Sequence, residues 1–367
     1  MALFMDFHKD MEGISAEQLK MAHAADETVQ ERYGVKYLHF WANEKAGNVF
    51  CLMEGPDIES CAQVHHEAHP DYMACAIIEI DQAFVDLTMG KNLKNNRGLV
   101  EHEDGSIDLG YRSILMVDVT AKTSGDHSKE ALKIQRIPKS SIRDLIARQG
   151  GRLLEVATED VITAIFNAAS NAVQCARDIQ SLVRTKEKEQ TPEWDIQCKI
   201  GLAAGQPVTE NNDFFEETLC LARMLVSVSE NGWINLSSLV GELCDVEELV
   251  GGSKQSVKTF RQSDENFLVK LYLAIHENLA EEDFNVERLC SDLGISRPQL
   301  YRKVTTLTGK SPNELIRDIR MHQAFNLLNK EDSNIAEIAL RVGISNPSYF
   351  AKCFQDKYGV PPSKVYH

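Results

Sequence analysis

The sequence predicts a multidomain chain: two α+β domains followed by an all-α unit that carries one helix-turn-helix pattern twice. Three observations lead there. Residues 1–80 run through strand and helix patterns in the order βαββαβ, and residues 111–250 alternate buried strands with amphipathic helices. At the C-terminal end, Val286 to Val304 and Ile335 to Cys353 follow one plan about fifty residues apart. Each copy sets a Gly-Ile-Ser-x-Pro turn, at Gly294 and Gly343, between two short amphipathic segments, and each closes on Gly-x-x-Pro at Gly309 and Gly359. With 367 residues, 43% of them hydrophobic, the chain can bury two or three cores.

In the first domain, residues 1–83, Leu3 to His8 alternates as a strand. Ser15-Ala-Glu-Gln opens a helix with a capping box, and that helix runs to Tyr33-Gly34. Tyr37 to Trp41 and Asn48 to Met53 read as a hairpin across Asn43 to Gly47; a helix from Asp57 to His69 and a strand from Ala74 to Ile80 follow. This order is ferredoxin-like. His65 and His69 stand at i and i+4, so one helix face carries both imidazoles, and His8 and His39 lie on strands that can approach them. Six of the eleven histidines fall in the first seventy residues. The bland alternative is a dimerising module with polar surface histidines, and residue type alone does not separate nickel from zinc or copper.

Phe4-Met-Asp-Phe-His8, the Ala-His-x-Ala-Asp run from Ala22 to Asp26, Tyr33-Gly-Val and Val64-His-His-Glu-Ala-His69 carry a resemblance to a small family of ferredoxin-like proteins associated with nickel binding. The resemblance implies a divalent transition metal, nickel or zinc, as cofactor.

Residues 84–110, polar and turn-rich, read as a linker. The middle domain, residues 111–250, opens with a buried strand from Tyr111 that ends in Asp118. A helix up to Gly150-Gly151 follows, then a hairpin from Arg152 to Phe166 with Asp160 at its turn. Next come a helix from Ser170 to Val183, a strand from Ile196 to Ala203, a helix around Phe215 to Val228 and a strand at Trp233. Order and spacing resemble a class III nucleotidyl cyclase domain over roughly residues 111–245. The resemblance implies that Asp118 and Asp160 hold two metal ions, a task for hard carboxylates. It also marks departures: Glu155 stands where cyclases place a base-selecting Lys, Cys220 where an Asn orients the ribose and Met224 where an Arg neutralises the transition state. Arg223 is one place away. Loss of a cationic phosphate clamp removes orders of magnitude in rate, so a non-catalytic, cyclase-like sensor or dimerisation domain is expected.

A second linker, 251–264, precedes the C-terminal domain, 265–367. In each repeat glycine supplies a turn with φ > 0, and Ser and Pro start the next helix. In the first copy Leu300, Val304 and Leu307 follow i, i+4, i+7 and should turn inward, leaving Ser296, Arg297, Gln299, Arg302 and Lys303 for DNA. In the second, Phe350 and Phe354 turn inward and Asn346, Ser348, Lys352 and Gln355 face out. Between the copies, Leu315, Ile316, Ile319, Ala324, Leu327 and Leu328 mark a bracing helix. These residues, with the closing Gly-Val-Pro-Pro-Ser-Lys, resemble the DNA-binding domain of AraC-type transcription regulators. The resemblance implies double-stranded DNA as partner, with RNA polymerase beside it.

The net charge of −16 divides unevenly. Residues 265–367 hold 13 basic and 13 acidic side chains, so all the excess acid lies upstream, where it repels a duplex and suppresses loose binding. Nine scattered cysteines without Cys-x-x-Cys point to a reducing cytoplasm. No apolar run is long enough for a membrane span. The expected whole is a homodimeric, cytoplasmic one-component transcription regulator. Its competitors are a divergent nucleotidyl cyclase fused to a DNA reader and a metal-buffering protein.

Overall fold

Alternating apolar side chains set the first sheet. The computed structural model describes residues 1–11, 13–123, 139–154, 161–189, 194–209, 212–246, 256–328 and 334–365. In it β1 (Ala2–His8), α1 (Ala16–Val29), β2 (Lys36–Asn43), β3 (Asn48–Gly55), α2 (Ile58–Ala68) and β4 (Ala76–Ile80) form the βαββαβ unit, in the spatial order β4-β1-β3-β2. Phe4, Phe40, Val49, Cys51 and Met53 pack with α1 and α2. Leu3, Met5, Phe7, Trp41, Phe50 and Leu52, on the opposite face, pack toward the rest of the chain. With both faces covered, β1 is apolar almost throughout.

Residues 84–110, expected as a linker, are folded. After α3 (Gln82–Thr88), the short strands β5 (Asn95–Asn96) and β6 (Leu99–Val100) extend the sheet beyond β2. Val85, Met89, Leu99 and Val100 are buried. The polar runs are surface turns between these anchors, which stand too far apart in sequence to show a period.

The second sheet comprises β7 (Arg112–Thr123), β8 (Arg152–Leu154), β9 (Ile162–Phe166), β10 (Trp194–Gly205), β11 (Ile234–Leu236) and β12 (Val257–Thr259), in the order β12-β11-β10-β7-β9-β8. The long antiparallel pair β7 and β10 is its spine. On one face α4 (Lys139–Arg148), α5 (Ala169–Glu189) and α7 (Ser238–Leu243) cover Leu115, Val117, Phe166 and Ile200. On the other lies α6 (Glu216–Ser227), above Ile114 and Met116. It approaches so closely that a Cβ at Gly201 would stand 2.4 Å from the Val226 nitrogen. The stretch expected as a second linker contributes β12 and the buried Phe260, whose N–H donates to the Leu236 carbonyl. Its residues 251–255 lie outside the described ones.

The C-terminal domain is helical: α8 (Gln262–Glu277), α9 (Val286–Leu293), α10 (Arg297–Thr308), α11 (Pro312–Leu328), α12 (Ile335–Arg341) and α13 (Pro347–Tyr358). Gly294 and Gly343 take φ of 63° and 72°, the left-handed turn that the repeat predicts. Leu300, Val304 and Leu307 join Leu315, Ile316 and Ile319 in one continuous core with α8, α6 and the first sheet. The second repeat has a core of its own, built on Phe350, Phe354, Ala324, Ile338 and Val342. No helix among the described residues is long and apolar enough to cross a membrane.

Arg112 ties the two sheets together. Its enclosed guanidinium pairs with both Asp108 oxygens at 2.9 Å and donates from Nε to the Thr88 carbonyl at 2.8 Å, at the end of α3. Burial pushes the Asp108 carboxyl up, but the Arg112 charge and hydrogen bonds outweigh it and hold the group below its ordinary value. Arg112→Ala strands a buried carboxylate and should cost about 3–5 kcal/mol in equilibrium urea unfolding. The Asp108→Ala, Arg112→Ala double variant should lose less than the sum of its single changes.

Candidate metal centre and DNA-reading surface

Four elements of the first domain bring their polar residues to one place. Strand β1 contributes Asp6 and His8, α1 His23 and Asp26, β3 Cys51, and α2 His65, with His69 at its C-terminal cap. Asp57 caps α2 by accepting the Ser60 N–H, and the one-turn spacing stacks His65 beneath His69. His65 Nδ1 lies 3.1 Å from His69 Nε2; Asp26 Oδ1 lies 3.3 Å from His69 Nε2 and 3.7 Å from His65 Nδ1. Ligand atoms about 2.0–2.1 Å from a tetrahedral ion stand roughly 3.3 Å apart, so these three atoms form one face of such a polyhedron.

Behind this triad, Asp6 Oδ2 contacts His65 Nε2 at 2.6 Å, and Asp6 Oδ1 accepts the Cys51 N–H at 2.8 Å. Burial alone would raise the Asp6 carboxyl; His8 and His65 outweigh it and hold the group well below the usual carboxylate range. An ionised carboxylate only accepts, so His65 Nε2 carries a proton toward Asp6 and Nδ1 is the nitrogen that faces the triad. A carboxylate behind a ligating imidazole orients the ring and raises its basicity.

The triad itself is short of positive charge. Burial, with Asp6 and Glu27 nearby, pushes the Asp26 carboxyl up to about 8. Burial, with His65 and His8, pushes the His69 imidazole down to about 4. At neutral pH the triad therefore holds a protonated Asp26 carboxyl beside a neutral His69 imidazole. Asp26 Oδ1 and His69 Nδ1 are buried without a hydrogen-bond partner. An unpartnered oxygen facing two imidazole nitrogens fits a divalent cation of the borderline class that takes N and O ligands.

Of the four histidines expected as ligands, His65 and His69 meet in the triad. His8 belongs to the adjoining group, with Asp6 and Cys51. His39 belongs to neither: a bulge between Tyr37 and His39 breaks the alternation of β2, and His39 pairs with Leu52, on the sheet face turned away from α1 and α2. Asp6 and Asp26 were not expected. One signal for Asp6 is an acid inside Leu3-Phe-Met-Asp-Phe7; one for Asp26 is its place with Leu19 and His23 at i, i+4, i+7 on the buried face of α1.

In the middle domain Asp118 is half-buried on β7, opposite Lys199 on β10, and burial raises its carboxyl above the ordinary value. Asp160 and Glu155 lie outside the described residues. On α6, Cys220 is half-buried and Met224 is 0% exposed. Arg223 Nη1 reaches the Tyr272 hydroxyl of α8 at 3.3 Å.

On α10 and α13 the inward residues are those the spacing predicts, and Arg297, Gln299, Arg302, Ser348, Lys352 and Gln355 are exposed, as are Ser296 and Asn346 at the helix starts. Several already have local tasks. Gln299 Oε1 accepts from Ser296 N–H at 3.1 Å, Asn346 caps α13 through the Tyr349 N–H, and Arg297 pairs with Glu287 at 2.6 Å. Lys303 departs from the expectation of a free side chain. It is half-buried, with its ammonium 4.3 Å over the Phe267 ring, because its long apolar stem packs on α8. Tyr349, 50% exposed on α13, is a surface residue the spacing argument did not name.

Residues 4–80 match the family described as nickel responsive protein SCO4226-like, and residues 289–366 match a helix-turn-helix domain family. Histidine kinase P4 of Formosa agariphila is 39% identical over 106 residues, 29% of this chain and 8% of that protein. The HTH-type transcriptional regulator MtrA of Neisseria gonorrhoeae is 31% identical over 84 residues, 23% of this chain and 28% of that protein. The chain thus spans less than a third of either curated relative. Among solved structures, SCO4226 from Streptomyces coelicolor A3(2) is 39% identical, covering 22% of this chain and 95% of that one with a TM-score of 0.21. An adenylate/guanylate cyclase/hydrolase from Silicibacter pomeroyi is 28% identical, covering 36% of this chain and 80% of that one with a TM-score of 0.28.

The two shifted groups set a pH dependence. Asp26 is raised, so its contribution is full below the unfolded value near ~3.9 and is lost as pH rises through about 8. His69 is depressed, so its contribution is present above about 6.5 and is lost as pH falls through about 4. The two oppose each other at lower pH, and from about 6.5 to 8 the Asp26 effect acts alone. In the presence of chelator, stability should fall with rising pH across that window by up to about 1.4 kcal/mol per pH unit. Thermal unfolding of Asp26→Asn should show this slope abolished.

Proposed function

We propose that this chain, which joins an SCO4226-like domain to an AraC-type helix-turn-helix domain, is a DNA-binding transcription regulator whose N-terminal domain takes up a divalent transition metal. The observation that carries the first half is the repeated left-handed turn at Gly294 and Gly343, each followed by a helix with an exposed polar face. Two such helices on one chain suit major-groove segments roughly 34 Å apart. Arg302 and Lys352 supply contacts to guanine or phosphate, Gln299, Gln355 and Asn346 contacts to adenine, and Ser348 a contact to either. The name of the Neisseria relative supports a regulator, and RNA polymerase is the partner such a protein would address.

For the second half, Asp26, His65 and His69 hold the ion and Asp6 orients His65. The bound ion supplies the positive charge that this buried cluster lacks. Nickel and zinc both suit two imidazoles and a carboxylate.

The middle domain is read as a non-catalytic platform. Met224 is spent on the core and Arg223 on the reader, so α6 offers no cation to a triphosphate. Two readers on paired sites call for a homodimer, and its interface would lie away from the α6 face, which α8 of the same chain covers. Asp118 on the central strand favours the second reading, a divergent cyclase. Cyclic nucleotide made from ATP or GTP, and lost in Asp118→Ala, would establish that reading instead.

Two measurements test the main proposal. In selections on random duplexes, Arg302→Ala should cost ~1–3 kcal/mol at a single base position rather than weaken all sequences alike. Absence of any preferred sequence for the full chain refutes DNA reading. In calorimetry at pH 7, nickel or zinc should bind with release of close to one proton, displaced from Asp26, and the His65→Ala, His69→Ala double variant should not bind.

A further inference from the structure

The metal-ligand triad stands at the polar end of a cavity of about 140 Å³, with His8 and His23 beside it and a flank of apolar side chains opposite. Met11, Ile14, Leu19, Phe40 and Val49 line the apolar part. At the polar end His8, His23 and Asp26 are each at least nine-tenths buried, yet His8 Nδ1, His23 Nδ1 and Asp26 Oδ1 have no hydrogen-bond partner. Gln18 and the half-exposed Tyr72 also line it, so the cavity reaches the surface beside them.

Neither half is explained by an ion alone. Three protein ligands leave a coordination position vacant, and at a structural site that position is filled by a fourth side chain. Here no fourth ligand side chain closes the triad, and the flank of the space opposite it, formed by Met11, Ile14, Leu19, Phe40 and Val49, is hydrocarbon that suits an organic ring better than water. A cavity of about 150 Å³ lined by apolar side chains accommodates a ring of benzene size, so the volume suits a molecule of roughly six heavy atoms.

We infer that the N-terminal domain recognises a compact, uncharged heterocycle of the imidazole class, which has one lone-pair nitrogen and one N–H. Its ring fills the cavity against Leu19, Phe40 and Val49, and its nitrogen meets the ion held by Asp26, His65 and His69. The inference rests on the metal-binding reading above and deepens it: the domain responds to an ion and an organic ligand together. Charged molecules of the same size are excluded, because Leu19, Phe40 and Val49 offer nothing for the hydration an ion would lose. Rings much larger than six heavy atoms are excluded by volume.

The test uses the full chain loaded with cobalt(II), whose visible absorption reports the ligands around the ion. Titration with 4-methylimidazole should shift the bands saturably, and about fourfold more tightly than imidazole, the ratio that burying one methyl group brings. The larger 4-phenylimidazole should cause no shift at the same concentrations. Ala22 also lines the cavity without being a ligand. Ala22→Leu should leave the cobalt spectrum intact, which shows the variant folded, and abolish the response to 4-methylimidazole. Equal responses to all three heterocycles, or none to any while cobalt binds, overturns the cavity ligand and leaves the metal reading standing. Failure to take up cobalt at all sinks the metal reading and this inference with it.

Discussion

A buried guanidinium at the start of the middle sheet governs how the first two domains are arranged. The last carbonyls of α3 have no helical partner, and a buried unsatisfied carbonyl costs about 1–3 kcal/mol. Arg112 bonds those of Thr88 and Met89, and Arg152 those of Leu87 and Thr88. Two cations at a helix C-terminus also complement its dipole. Burial and the charge of Arg112 lower Arg152 to about 10, which leaves it charged at neutral pH. Asp108 neutralises Arg112, while Arg152 rests on neutral acceptors, the Leu87 and Thr88 carbonyls and the Asn167 amide oxygen. With α3 fixed, the outer face of the first sheet, Leu3, Met5, Phe7 and Trp41, is committed to the shared core.

That core extends to the reader but covers only half of it. Glu265 at the start of α8 is buried, and its Oε2 accepts from the Ser238 hydroxyl at 3.0 Å while its Oε1 takes the Ser238 N–H at the start of α7. Burial raises the Glu265 carboxyl, while its bonds to Ser238 pull the other way. On the far side of α8, Phe267 receives Lys303 of the first recognition helix. The first helix-turn-helix unit is thus continuous with the middle domain through one helix. The second unit, with its own core around Phe350 and Phe354, is joined to the first by α11. The two recognition helices are alike in sequence plan and unlike in mechanical attachment.

Legibility followed the range of the interactions. The turns at Gly294 and Gly343 were readable because four or five adjacent residues determine them. The His65 and His69 pair was readable because a helix fixes i and i+4. Asp26 was not, since its partners lie about forty residues away on another helix, and a single Asp in an amphipathic pattern looks like a solvent-facing one. His39 lies on a strand that can approach the pair, but a bulge that only the pairing with β3 reveals sets it opposite Leu52, on the other face. Residues 84–110 misled in the opposite way: their turn chemistry is real, but Val85, Met89, Leu99 and Val100 anchor the turns to the core. Lys303 was read by its charge, whereas its four-carbon stem determines where it lies.

On the reading proposed above, helix α6 makes the middle domain a joint rather than a cleft. A residue can line a nucleotide site or pack a core, and Met224, with Leu225 and Ala222, does the second. An Arg displaced by one place on a helix turns by about 100°, which takes Arg223 from the sheet side toward α8 and the Tyr272 hydroxyl. The close approach at Gly201 leaves no room to roll α6 back, because the Val226 nitrogen and Ala222 carbonyl already stand where a Cβ would be. Restoring a phosphate clamp would therefore require moving α6 off the strand it rests on and breaking its contact with the reader. On the proposed reading that is the trade this chain has made: the face of the sheet that could have closed on a nucleotide closes instead on its own DNA-binding domain.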